Sequence, residues 1–330
     1  MIKFLFTSII LLYFLSTFSQ VNPDNIKGTI TRENTDIKFL SIKVAPWDIL
    51  LSESRMTFAG GFGGKFYLNG LYINANYTYH YVDDLAKVVG GPIIGGSSIY
   101  LSTKSRDADA TIGYFFQKKT NGVVKIRIGS SGTGRMRSDY YAKVLANYNK
   151  LLGLQVGYKQ GFANLTIPEG VIVRDAYLFP NEDIKTKTGL NTYMQYGWFS
   201  FGATYGKTID VEVDLEKYGH KKAQYIYRYY ANLLVSKYSK LEDVYFIDYY
   251  NYKHTVTHQY ILDGNVKMSN LGFNLGLETY SFNKVGVTYG VELGIMPGVQ
   301  VSKAGNFYFS LKWGIVIGKA FGGKQPIVSK

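Results

Sequence analysis

Residues 71–82, LYINANYTYHYV, separate by parity into two materials: Leu71, Ile73, Ala75, Tyr77, Tyr79 and Tyr81 are apolar or aromatic, whereas Asn74, Asn76, Thr78 and His80 are polar. Alternation sustained this long marks a β-strand with one greasy and one wet face. The same test succeeds again and again. In 285–296 the odd positions Val285, Val287, Tyr289, Val291, Leu293 and Ile295 oppose Gly286, Thr288, Gly290, Glu292 and Gly294. In 306–319 the odd positions run from Phe307 through Trp313 to Ile317. The segments predicted as strands are 37–45, 57–68, 71–82, 106–119, 123–131, 138–148, 151–161, 189–197, 199–207, 224–238, 242–253, 269–280, 285–296 and 306–319. Their lengths match the roughly 9–11 residues that a tilted strand needs to cross a bilayer.

The gaps between these segments alternate. Long connections such as 83–105, 162–188 and 254–268 take turns with connections of a few residues, the asymmetry of barrels with tight turns at one end and loops at the other. Turn chemistry supports the register. The greasy face is even-numbered in 57–68 and odd-numbered in 71–82, which requires an even loop, and Asn69-Gly70 is the preferred type I′ pair. Thr120-Asn121-Gly122 suits a three-residue hairpin, Gly197-Trp198 a type II′ turn, and Ser281-Phe282-Asn283 a further three-residue loop.

The polar faces are built mostly from Gly, Asn, Ser, Thr and Gln, which suits the crowded inside of a barrel, while aromatics such as Tyr77, Tyr79, Tyr81, Tyr225, Tyr227 and Tyr229 cluster on the apolar faces as at membrane interfaces. Residues 1–19, MIKFLFTSIILLYFLSTFS, carry one lysine, an apolar run and small residues at cleavage spacing, and read as a signal peptide. Over the remainder, the chain resembles bacterial outer-membrane β-barrel proteins as a class. The resemblance is architectural and carries no family-specific motif. It implies an all-β, antiparallel, up-and-down transmembrane barrel of about 14 strands, with 12 as the alternative count, exported by the general secretory route to the outer membrane. On this reading 20–36 is a periplasmic or plug segment, 37–321 the barrel and 322–330 a periplasmic tail. Members of the class often end on an aromatic, whereas GGKQPIVSK follows Phe321 here.

Chemistry is sparse. The chain has no cysteine, which removes disulfides, thiolate metal sites and Cys nucleophiles. AGGFGGKFY at 59–67 fails as a phosphate loop, because Ala59 stands where Gly is needed, Phe66 stands where Ser or Thr is needed, and no helix follows. GSSGTGR at 129–135 reads as a loop. His254 and His258 lie roughly 13 Å apart if extended, too far for one ion. His80 and His220 have no partner visible in the sequence. No catalytic, cofactor-binding or metal site is expected, and a barrel lipid hydrolase is only a minor alternative.

Charge says more. Removal of Lys3 with the leader leaves 36 basic and 24 acidic residues, a net of +12. Lys87, Lys104, Arg106, Arg135, Arg137, Lys217, Lys221, Lys222, Lys253 and Lys267 fall in or beside the long connections, where they are expected to meet lipopolysaccharide phosphates. Nothing indicates nucleic-acid binding. The lumen-facing candidates are Asn74, Asn76, Lys125, Arg127, Lys159, Glu278, Glu292 and Lys312, with Lys312 opposite or one step from Glu292. The leading expectation is a passive pore or uptake channel for small solutes, and the alternative is a non-conducting structural or docking subunit of an envelope or secretion complex.

Overall fold

The computed structural model describes residues 28–33, 35–52, 56–82, 105–131, 138–167, 172–175, 179–185, 190–242, 244–248, 255–261, 268–282, 284–299 and 306–321. In chain order the strands are β1 (Gly28–Glu33), β2 (Lys38–Ser52), β3 (Met56–Leu68), β4 (Leu71–Val82), β5 (Arg106–Ser131), β6 (Ser138–Ile167), β7 (Ile172–Asp175), β8 (Phe179–Lys185) and β9 (Leu190–Leu215), then β10 (Gly219–Leu241), β11 (Val244–Asp248), β12 (Thr255–Ile261), β13 (Met268–Ser269), β14 (Leu271–Ser281), β15 (Val285–Met296), β16 (Gly298–Val299) and β17 (Asn306–Phe321). The large sheet runs β9-β10-β14-β15-β17-β2-β3-β4-β5-β6 and closes through β6–β9, giving an antiparallel barrel of ten strands with β1 added on β9. Closure leaves the barrel wall without an open edge.

The count of fourteen is therefore corrected to ten, for two reasons. Three predicted turns are mid-strand: Thr120-Asn121-Gly122 pairs with Tyr148-Asn147-Ala146, residues 149–150 pair with 118–119, and Gly197-Trp198 pairs with residues of β6 and β10. Six predicted segments thus fuse into β5, β6 and β9, of 26, 30 and 26 residues. Of the segment 242–253, the described strand β11 (Val244–Asp248) is no wall strand but belongs to a separate sheet, β11-β12-β7-β8. The Asn69-Gly70 turn stands, with positive φ at both residues (49° and 92°), as a type I′ turn requires. Residues 282–284 likewise join β14 to β15.

Fusion also changes which connections share an end. The starts of β2 and the end of β17 lie at one end with the 69–70, 132–137, 216–218 and 282–284 connections, here the termini end. The strand ends that flank 53–55, 83–105, 168–189, 242–270 and 297–305 lie at the other, the loop end. Of the basic residues expected beside the long connections, Lys217, Lys221 and Lys222 therefore sit at the termini end, opposite the strand ends that flank 83–105. Arg106 remains at the loop end of β5; Lys87, Lys104, Arg135, Arg137, Lys253 and Lys267 lie outside the described residues.

Along the wall the greasy parity faces outward. Leu40, Ile42 and Val44 on β2, Phe62 on β3, Ile73 and Tyr79 on β4, Leu152 and Leu154 on β6, and Leu233 and Ile317 on β10 and β17 are all exposed. In β2 a bulge around Pro46 inserts one residue between Ala45 and Asp48, so Trp47 stays outside while Asp48 turns inward.

Beyond the wall at the termini end, the same parity is covered by protein. Val124, Ile126 and Ile128 of β5, Ala142 and Ala146 of β6, and Ile209, Val211, Val213 and Leu215 of β9 form one buried cluster, against which Ile30 of β1 packs. Here the β5–β6 and β9–β10 hairpins, freed of their barrel neighbours, pack on each other. Strand β1 holds them: Arg32 reaches Glu212 (3.1 Å) and Asp210 (3.3 Å) on β9, while Glu33 accepts hydrogen bonds from the backbone N–H and the side-chain amide of Asn147 on β6.

Candidate functional site

The lumen is organised in depth. At the termini end, Phe39 stacks on Tyr67, Tyr280 and Phe282 with ring centroids 5.6–5.7 Å apart. Tyr72, Phe115, Leu151, Ile226 and Val316 complete an apolar floor across the barrel. These residues break the parity rule of their own strands: Tyr72 lies among Asn74 and Asn76, and Phe115 lies opposite the greasy even face of β5. An aromatic at a wet-face position is the sequence signal that was there to be read, and it marks the inside of a barrel narrow enough for side chains to span.

Against the floor sits a charged bridge. Glu278 pairs with Lys65 and accepts from Arg228 Nη2 at 2.8 Å. Lys65 lies over the Tyr280 ring (4.3 Å) and Arg228 over Tyr72 (4.6 Å), so the floor's ring faces also meet the two cations. From Arg228 a relay of amides runs along the inner face of neighbouring strands β6, β10 and β14: Arg228 Nη1 donates to Gln155 Oε1 (3.3 Å), Gln155 Nε2 to Asn232 Oδ1 (2.7 Å), and Asn232 Nδ2 to Asn274 Oδ1 (2.8 Å).

Above this, on the loop-end side of the floor, lies a cavity of about 170 Å³ lined by Lys43, Asp48, Asn74, Asn76, His80, Asp107, Asp109, Lys159, Glu292 and Lys312 among others. The register explains its mixed charge. Asp48, Lys312, Gly290, Glu278 and Arg228 are successive cross-strand partners around the wall, so opposite signs are neighbours. Glu292 accepts from the Tyr230 and Tyr308 hydroxyls (2.6 Å each) and lies 3.9 Å from Lys312. Near the loop end, buried His80 joins Thr57 Oγ1 (3.0 Å) to Asp107 Oδ2 (3.0 Å), and Lys159 approaches the same carboxylate at 3.4 Å.

Six of the eight lumen candidates line this cavity: Asn74, Asn76, Lys159, Glu278, Glu292 and Lys312. Asn76 donates to Asp109 at 2.9 Å. Lys125 and Arg127 are corrected. They lie on the β5–β6 hairpin after it has left the barrel, with exposed side chains, because β5 runs on past its last β4 partner, Tyr114. Sequence reasoning missed Lys65, Arg228, Asp48 and the Thr57–His80–Asp107 set. The pairing of Thr78 with Asp107 depends on where β5 resumes after residues 83–104, which no local signal fixes. His258 lies in the extended strand β12, and His254 is outside the described residues.

No protein-family model matches the chain, and no curated protein matches it. Among solved structures it is similar to the CymD monoaromatic hydrocarbon channel, with 10% identity over 88% of this chain and 90% of that one and a TM-score of 0.20. A mutant Rh. blastica porin gives 11% identity over 86% and 99%, with a TM-score of 0.18. The strand pairing of this chain itself identifies the barrel.

Proposed function

We propose that the protein is an outer-membrane channel for small polar solutes whose path is shut at the termini end. The observation that carries this reading is the cavity itself, polar and mixed in charge, lying on the loop-end side of a floor of stacked aromatics. Its exterior belt of exposed apolar and aromatic side chains suits lipid, and the termini end is then periplasmic. Basic residues of the connections at the opposite end meet lipopolysaccharide phosphates. No step of this function needs covalent catalysis or a cofactor. A passive, permanently open pore is the less favoured form, because a ten-stranded barrel lies close to the eight-stranded size whose interior side chains fill.

The test is single-channel recording in planar lipid bilayers, comparing wild type with the double variant Phe39→Ala, Phe282→Ala. Wild type should be closed for most of the record, and the variant, which truncates two floor rings at about 3–5 kcal/mol each, should open often while keeping the gel mobility of a folded barrel. A folded variant that never conducts would sink the channel. A second reading would then stand, a docking subunit of an envelope complex, favoured by the protein core that the two long hairpins build beyond the wall.

A further inference from the structure

We infer that the outer wall carries a binding site for the headgroup of an anionic phospholipid at the termini end, formed by Lys118, Lys150 and Lys207. These three are successive cross-strand partners on β5, β6 and β9. Neighbouring strands are about 4.8 Å apart, so the three side chains leave the wall within roughly 10 Å of one another. Like charges directly opposite destabilise a sheet. Among the described residues no carboxylate pairs with any of the three, and the one stabilising contact described is Lys207 over the Tyr148 ring at 5.2 Å.

Position gives the row its meaning. One step towards the loop end, on the same outer face, Phe116, Leu152, Tyr205 and Tyr229 form the next cross-strand row, and all four are exposed. One step the other way the face holds Thr120, Tyr148 and Ile209, and with Tyr148 and Ile209 the buried cluster begins that continues through Ala146, Val211 and Val124. The lysines therefore mark the border where the lipid-facing wall ends, the depth at which lysine stems lie on apolar surface and ammonium groups reach headgroups. A free phosphate would leave the apolar row above unused. A phospholipid satisfies both rows, its phosphodiester on the ammoniums and its acyl chains along Phe116, Leu152 and Tyr205. The inference rests on the wall being in lipid but not on conduction, so it survives failure of the channel.

The experiment is native mass spectrometry of the full barrel released from detergent, titrated with phosphatidylglycerol or phosphatidylcholine of matched chains, alongside thermal unfolding of the same samples. Wild type should retain phosphatidylglycerol about tenfold better, a preference that the variant Lys118→Gln, Lys150→Gln, Lys207→Gln loses and the triple arginine variant keeps. Without added lipid the glutamine variant should unfold at or above the wild-type temperature, because it has lost like-charge repulsion, and phosphatidylglycerol should raise the unfolding temperature of wild type alone. Equal retention of the two lipids by wild type, an undiminished preference in the glutamine variant, or displacement of phosphatidylglycerol by equimolar inorganic phosphate would each overturn the site.

Discussion

Glu278 balances two cations in a place water scarcely reaches. Its carboxylate pairs with both Lys65 and Arg228, whose side chains are 4% and 10% exposed, while Lys65 also lies against the Tyr280 ring. Taking ions out of water is costly and is offset only when every charge finds its counter-charge, so removing one member costs more than the pair contributes. Glu278→Ala should therefore destabilise the barrel by about 3–5 kcal/mol, read as a lower urea midpoint in detergent. Replacing Lys65, Arg228 and Glu278 together by apolar residues of similar volume should restore most of the loss. An alanine variant with the wild-type midpoint would mean that the bridge is hydrated and not buried as described. Gly276 shows the same crowding one step along the same strand: a Cβ there would run into the ring of its cross-strand partner Tyr230, the ring whose hydroxyl holds Glu292.

Among the elements, β1 is held chiefly by polar contacts. Burial alone would raise the Glu212 carboxyl, but its hydrogen bond and charge contact with Lys222, followed by the charges of Arg32 and His220, hold it below the ordinary carboxylate value. A carboxyl depressed in the folded state contributes stability above its unfolded value of about 4.3, and that contribution is lost as pH falls through the folded value. Asp210 and Asp214 face the same contacts from β9. The half-exposed Lys222 gives its pair with Glu212 about 0.2–1 kcal/mol. Hydrogen exchange at the amides of 29–33 should thus quicken, after correction for intrinsic rates, between pH 7 and pH 3, with the barrel amides unchanged; Arg32→Ala should give the faster exchange already at pH 7. Uniform protection of β1 across that range would contradict the ionic docking. The same region explains the overcount of strands. Alternation in 123–131 and 138–148 reports one greasy face correctly but cannot say whether lipid or another hairpin covers it, and here Ile126 and Ala142 are covered by protein. The glycine of Asn121-Gly122 has turn chemistry without a turn, since the ladder to Asn147 and Ala146 runs straight through it.

For the whole molecule, ten strands in place of fourteen alter the lumen more than the wall. The wall was legible, because parity sets inside from outside strand by strand, as in Ile73 against Asn74. The lumen was not, because its floor and bridge join residues from strands far apart in sequence, such as Phe39 with Phe282 and Lys65 with Glu278, and their meeting depends on barrel size and stagger. That narrowness gives the last prediction its force. In a narrow path a solute ion passes within reach of Lys312 and Glu292, which line the cavity above the floor. In the background with Phe39 and Phe282 truncated, Lys312→Glu exchanges a positive for a negative charge beside Glu292 and Asp48, so the reversal potential under a salt gradient should shift towards cation selectivity. Glu292→Gln removes one negative charge yet keeps an acceptor for the Tyr230 and Tyr308 hydroxyls, and should shift it towards anions by a smaller amount. Conduction with a reversal potential that neither substitution moves would place the ion path outside the lumen, along a route the floor does not control.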